Sequence, residues 1–172
     1  MPHLSGSAGA GYRDHTGDVS GTTAHLQHLV ELDEAIERTA DPGAVRTALG
    51  RLEGAHPGLL TKLDHDEALR GVVLAVVAAS RSLTLLLETD PVTLDVLGDL
   101  AVPVPPPALG TLDEHSLARW KARELLRIAA RDLTGVDDLP ASGTALAALA
   151  TDVLVASCAL AGADDVVVVG MG

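Results

Sequence analysis

Apolar residues recur at intervals of three and four along most of this chain, the spacing that places them on one face of a helix. Proline, glycine and aspartate interrupt this pattern at regular points and mark turns. Together the two signals predict eight helices, over residues 24–39, 44–53, 59–63, 66–79, 83–87, 92–97, 114–133 and 140–161. The predicted fold class is therefore mainly α, an antiparallel helical bundle.

Two stretches lack helical periodicity and mark the limits of domains. Residues 1–23 are rich in Gly, Ser, Thr and Asp, so we expect a flexible arm. Residues 101–110, AVPVPPPALG, contain four prolines, which remove backbone donors and hold the chain extended. This linker is either a plain connector or a proline-motif ligand for a partner domain. It separates a first helical subdomain, residues 24–100, from a second helical part, residues 111–162.

The hydrophobic period changes in the last segment, residues 163–172. The four consecutive valines at 166–169 have the pattern of a β-strand buried on both faces. A single strand cannot satisfy its backbone groups, and no other segment is a convincing strand. We therefore expect a truncated chain whose remaining strands lie beyond Gly172. Gly170 and Gly172 follow the valines, and a glycine backbone can approach a phosphate closely because no Cβ intrudes.

Composition and charge narrow the class of protein. The apolar residues are mostly Leu, Val and Ala, and such small aliphatic side chains suit closely packed helices. A net charge of −12 argues against a protein that coats nucleic acid. Cys158 is the only cysteine, which excludes an intramolecular disulfide and a cysteine metal cluster. No signal peptide or membrane span is predicted, so we expect a cytoplasmic protein with neither membrane nor nucleic acid as a partner.

The segment 114–133 is both strongly helical and strongly basic. Its arginines recur at four-residue steps and form a ridge of guanidinium groups, namely Arg119, Arg123, Arg127 and Arg131. This ridge either docks the carboxylates or phosphates of an acidic partner, or is a solvated face paired with the chain's own carboxylates. The same helix is predicted to bury an apolar face made of Ala118, Ala122, Leu125, Leu126, Ala129 and Leu133.

Three further expectations concern single residues and the last helix. Residues 140–161 contain few polar positions, so this helix should be buried or nearly so. Trp120 should anchor the arginine helix to another helix or to a following domain. His25 and His28 have the helical spacing of a metal pair, but no cysteine or patterned carboxylate accompanies them, so ordinary surface histidines are favoured.

Three segments resemble one known family. The run LARWKARELLRIAARDLTG at 117–135, the apolar helix after it and VVVVGMG at 166–172 look like the N-terminal half of the bifunctional glutamine synthetase adenylyltransferase/adenylyl-removing enzyme. The run ASRSLTLLLETDPVTLDVL at 79–97 is similar to a further family segment, in which a His-Pro dipeptide stands where this chain has Asp90-Pro91. The resemblance covers roughly residues 45–172.

The resemblance implies a fold and an activity. In that family a helical region precedes a nucleotidyltransferase domain, whose first strand ends in Gly-Met-Gly and continues into Lys-Leu-Gly-Gly and a Ser-Asp-x-Asp motif. The N-terminal catalytic domain removes AMP from a tyrosine of glutamine synthetase by phosphorolysis, and the second half of the enzyme attaches it. Glutamine synthetase and PII signalling protein are therefore the implied partners, and nitrogen assimilation is the regulated process.

The resemblance also implies cofactors for the full-length enzyme. Paired aspartates of that family hold Mg²⁺, which neutralises phosphate oxygens during transfer from or to the nucleotide, ATP or ADP. Gly170 and Gly172 correspond to the start of its nucleotide-binding loop. The aspartates themselves would lie past Gly172, so we expect this chain alone to bind no cofactor and to be inactive. The alternative is a stand-alone helical interaction module that docks an acidic partner through the four arginines.

Overall fold

The computed structural model describes residues 31–108 and 111–163, and within them the chain is mainly helical, as predicted. The helices are α1 (residues 31–37), α2 (Pro42–Ala55), α3 (Leu59–His65), α4 (Glu67–Ala79), α5 (Arg81–Thr89), α6 (Thr93–Gly98), α7 (Glu114–Leu133) and α8 (Leu139–Ala161). The predicted arm at 1–23, the pair His25 and His28, and the predicted strand with Gly170 and Gly172 all lie outside the described residues. No strand occurs among the described residues.

Side-chain caps fix where five of these helices begin. In each case an oxygen accepts a hydrogen bond from the backbone N–H three residues later, which satisfies a donor that the helix leaves unpaired. The capping residues are Asp41, Asp66, Ser80, Asp113 and Asp138. At α7 the bond is reciprocal, because the Ser116 hydroxyl accepts from the Asp113 N–H at 2.9 Å. The predicted bounds of α2 to α8 lie within two residues of those observed, because Asp, Ser, Pro and Gly mark most of the helix ends in the sequence.

The larger core lies around α4, which contacts α2, α3, α5, α6 and α7. Helix α4 has apolar residues on most of its circumference, so it can be covered from several sides at once. Leu52, Leu63, Val73, Val76 and Leu87 are fully buried in this cluster. Two residues of α7, Leu126 and Ala130, complete it and join the second helical part of the chain to the first.

A smaller core joins α7 to α8. It consists of Leu117, Trp120, Ile128 and Leu149, with Ala145, Val153 and Ala156 packed against it. The two helices form an antiparallel hairpin, since Asp132 near the end of α7 bonds to Ser142 near the start of α8. Trp120 is 7% exposed and packs between the helices, which confirms the expectation that it is an anchor.

The predicted inward face of α7 is wrong for most of its residues. Leu126 is buried, but Leu125 is 37% exposed and Leu133 is 41% exposed. Helix α7 is instead buried on two flanks, one against each core, and these flanks include Glu124 and Arg127. Charged side chains can be buried there because they pair with each other and with backbone groups. A pattern that counts only apolar residues cannot find such a face.

The prediction that the last helix is buried is also wrong. In α8 only Ser142 and Leu149 are buried, and Val155 is 66% exposed. The physical reason is that, among the described residues, α8 packs substantially against α7 alone. Its length and apolar composition are also those of a helix that crosses a membrane. Most of its apolar surface is left without a partner in this part of the chain.

Candidate functional site: the arginine helix and the proline segment

Arg123, one of the four predicted docking arginines, forms an ion pair with Asp90 of the same chain. Its Nε lies 2.7 Å from Asp90 Oδ2 and its Nη2 lies 2.8 Å from Asp90 Oδ1, a two-point contact between α7 and the turn that follows α5. The Arg123 guanidinium holds the pKa of the Asp90 carboxyl below its usual range, although burial partly opposes this effect. The same contact raises the pKa of Arg123. Asp90 therefore stays ionised and paired at neutral pH.

Arg127 makes more hydrogen bonds within the protein than Arg123 does. Its Nη2 lies 2.5 Å from Glu124 Oε1, and both side chains are buried. Its Nη1 donates to the carbonyl of Leu100 at 3.0 Å. Glu124 Oε2 in turn accepts the backbone N–H of Val104 at 2.8 Å. Each charged group thus has hydrogen-bond partners within the protein, the condition under which burial of an ion pair is tolerated.

Arg131 repeats this arrangement one turn later. It donates to the same Leu100 carbonyl at 3.0 Å and makes a two-point contact with Asp137 in the loop between α7 and α8. The Arg131 guanidinium lowers the pKa of the Asp137 carboxyl. Arg131 therefore holds both the chain before α7 and the loop after it.

These contacts fasten to α7 a stretch of chain without regular secondary structure. We call residues 100–108 the proline segment. Val104 lies at its centre, where its N–H donates to Glu124 and its carbonyl accepts from Trp120 Nε1 at 2.8 Å. Extended chain has no internal hydrogen bonds, so side chains of α7 supply them. The proline segment is thus held at Leu100 and Val104, whereas a plain connector needs no such contacts.

Arg119 differs from the other three arginines. It is exposed and makes no ion pair within 31–108 and 111–163, although its charge adds to the lowering of the pKa of Asp90. Lys121, two residues later, is also exposed and without an ion pair in that part of the chain. Of the predicted docking ridge, Arg119 is thus the one arginine without an ion pair among the described residues. The chain's own acceptors occupy Arg123, Arg127 and Arg131.

The other candidate sites among the described residues have fewer groups that could bind a charged ligand or a metal ion. An open cavity of about 750 Å³ lies between α2 and α5, and its charged lining residues are Asp41, Arg51, Arg81 and Glu88. Two cations and two carboxylates leave it without net charge, and Arg51 already pairs with Glu88 at 2.8 Å. No group of three or more His, Cys, Asp or Glu residues that could hold a metal ion occurs in the described ranges.

Sequence reasoning found the arginines but missed their partners. Asp90 and Asp137 lie in turns outside α7, and nothing in the local spacing links Asp90 to Arg123. The signal for Asp90 was its place in the Asp-Pro dipeptide after α5, a turn position that fixes where its carboxylate points. The signal for Glu124 was its spacing of three from Arg127, which allows an ion pair on one helix.

Comparison with known proteins adds no family. No protein-family model matches this chain, and searches of curated proteins and of solved structures give no significant match.

Proposed function

We propose that this chain is the N-terminal helical part of a bifunctional glutamine synthetase adenylyltransferase/adenylyl-removing enzyme. The observation that carries the proposal is the joint sequence of the arginine helix α7, the apolar helix α8 and the run of valines that ends in Gly170-Met171-Gly172. In this role the helices support a nucleotidyltransferase domain that begins at residues 166–169, and Mg²⁺ and nucleotide bind in that domain. Glutamine synthetase is the substrate and PII signalling protein the regulator.

The geometry of α7 supports this proposal over a docking ridge. Arg123, Arg127 and Arg131 hold the turn after α5, the proline segment and the loop before α8 in place. Such contacts stabilise a helical platform and do not perform catalysis. A platform role agrees with a chain in which the catalytic aspartates are expected further on.

The sharpest test is the coding sequence directly after the Gly172 codon. We expect an in-frame continuation that encodes Lys-Leu-Gly-Gly or a close variant, followed by Ser-Asp-x-Asp. A protein extended through that motif should release ADP from adenylylated glutamine synthetase when phosphate and Mg²⁺ are supplied, whereas the 172-residue chain should not. A stop codon, or turnover by the 172-residue chain alone, contradicts the proposal.

A second candidate function is that of a stand-alone module that docks an acidic partner. The observation in its favour is that Arg119 and Lys121 are both exposed and form no ion pair within 31–108 and 111–163. Docking through all four arginines would require three of them to leave partners inside the protein, which costs several kcal/mol for buried charged groups. The candidate therefore reduces to a small basic site at the start of α7.

Binding measurements separate the two functions. The variant Arg119→Glu with Lys121→Glu should lose affinity for adenylylated glutamine synthetase or PII if α7 docks a partner directly. The control is Arg38→Glu with Lys62→Glu, which changes two exposed cations outside the α7–α8 hairpin. Equal affinities for both double variants exclude the docking module.

A further inference from the structure

The α7–α8 hairpin has an apolar side that no described residue covers. We call it the open face, and it comprises Ala118, Ala122, Leu125, Ala129 and Leu133 of α7 together with Leu139, Leu146, Leu154 and Leu160 of α8. The α7 residues are those whose spacing had predicted a buried stripe. A contiguous apolar surface of this kind is typical of an interaction site in a protein that is otherwise strongly charged.

Both helices present their apolar residues on the same side. A groove of about 400 Å³ runs between them, lined by Glu114, Leu117, Ala118 and Lys121 from α7 and by Val153, Ser157, Leu160 and Ala161 from α8. Ala122, Leu125 and Ala129 continue the line of Ala118 along α7, at helical spacings of three and four. The open face is therefore two helices wide.

Two residues of opposite charge, Lys121 and Asp132, lie beside the open face, where each can pair with the other residue of a second copy. Lys121 lines the groove beside α8 and is exposed, with no ion pair in the described ranges. Asp132 lies on the same edge of α7, because its Oδ1 accepts from Ser142 of α8 at 2.9 Å. It too has no cationic partner within 31–108 and 111–163. Opposite charges at two points on one edge are what a two-fold symmetric contact requires, since residue i then meets residue j twice.

We propose that the open face binds the open face of a second copy of this chain, so that two α7–α8 hairpins form an antiparallel four-helix bundle. The two-fold axis lies near Leu125, and each Lys121 meets Asp132 of the second copy. Ala118, Ala122 and Ala129 are small, so the two α7 helices can approach to roughly 8–10 Å between axes. This is a common solution for helical hairpins with one apolar side. The inference is independent of the proposed function.

Charge favours a second copy over a membrane surface as the occupant. Glu114 lines the groove and Asp132 lies at the edge of α7 beside α8, and anionic lipid headgroups repel carboxylates. Lys121 is the only cation that lines the groove within the described residues of α7 and α8, and the carboxylate of Glu114 lines the groove as well. A second copy, in contrast, supplies both a carboxylate for Lys121 and an apolar surface of equal width.

The first test is the oligomeric state of the full chain by sedimentation equilibrium, from low micromolar to several hundred micromolar protein. We expect a monomer–dimer equilibrium. Leu125→Asp should weaken the dimer at least about tenfold, because it places two charges at the centre of the interface. The matched control is Leu85→Asp on α5, since Leu85 is 58% exposed and lies away from the hairpin. A monomer at every concentration, or equal effects of the two variants, overturns the proposal.

The second test reports on the orientation. Lys121→Asp should weaken the dimer roughly tenfold because two attractive contacts become repulsive. Adding Asp132→Lys to the same chain should restore the affinity to near that of the wild type. Within one chain the two residues lie roughly 16 Å apart along the helix, so restoration reports a contact between copies. No restoration in a double variant with an unchanged circular dichroism spectrum overturns the antiparallel arrangement.

Discussion

The carboxylate of Asp90 ties three elements together. Its two oxygens accept from Arg123 of α7, and Oδ1 also accepts the backbone N–H of Val92 at 3.2 Å, in the turn that leads into α6. Asp90 is 8% exposed, so this contact is shielded from water on most sides. A shielded two-point ion pair is worth more than the exposed pairs on the outer helices.

Replacement of Asp90 by asparagine tests this difference. Asp90→Asn should lower the free energy of unfolding by about 2 kcal/mol, because Arg123 keeps its charge and loses its counter-ion. The matched control is Glu34→Gln, which removes the exposed pair with Arg38 and should cost at most about 0.5 kcal/mol. Urea denaturation followed by circular dichroism measures the free energy of unfolding of both variants. Similar losses of stability would contradict the conclusion that the Asp90–Arg123 pair contributes more than the Glu34–Arg38 pair.

The lowered pKa of Asp90 makes stability depend on acid pH. A carboxyl whose pKa is depressed on folding stabilises the protein above its unfolded pKa, near 3.8, and this contribution is lost as the pH falls through the lower folded value. We therefore expect part of the free energy of unfolding to disappear below about pH 4, the unfolded value for aspartate. In a series of denaturation curves from pH 6 to pH 2, Asp90→Asn should show a shallower loss than the wild type.

At the scale of the helix, α7 shows why a buried face escaped prediction. The stripe that contains Leu125 and Leu133 has the spacing of a buried face but is exposed. The flank with Glu124 and Arg127 is buried instead. Helix bounds follow from local caps and could be predicted. The choice of face depends on distant groups such as the Leu100 carbonyl and the Val104 N–H, which no local pattern encodes.

Helix α8 offers the clearest test of an element that is apolar but exposed. Leu154→Gln should change the free energy of unfolding by at most about 0.5 kcal/mol, because the side chain is 43% exposed. Leu149→Ala should cost roughly 2–4 kcal/mol, since Leu149 fills the small core against α7. Both measurements are made below the concentration at which copies associate. A large cost at Leu154 would show that α8 is covered within the monomer.

Across the whole molecule, stability is concentrated around α4. The larger core draws on α1 to α7, whereas the smaller core relies on one pair of helices. An element held by a single neighbour opens at lower free energy than one held on several sides. The mainly helical class was predictable from periodicity, but this uneven distribution was not, because it depends on which helices meet.

Hydrogen exchange should reveal the uneven distribution directly. In dilute monomer, the amides of α8 should exchange well before those of α4, with α7 between them because it belongs to both cores. At concentrations where copies associate, the amides of α8 should become protected. Mass spectrometry of peptides from the two helices, at low and high protein concentration, measures both effects. Equal protection of α4 and α8 in the monomer would contradict the two-core description.

The carbonyl of Leu100 accepts hydrogen bonds from both Arg127 and Arg131. Because the acceptor is a backbone atom, it determines which kinds of mutation the chain tolerates here. A backbone oxygen is present whatever residue is encoded, so most point mutations of codon 100 leave both bonds in place. An inserted or deleted codon between positions 100 and 104 changes their spacing, so the Leu100 carbonyl and the Val104 backbone cannot both keep their partners on α7. The Leu100 side chain also packs against the larger core and the Val104 side chain against the smaller one. This short stretch should therefore be strict in length and apolar at both ends, unlike most surface connections.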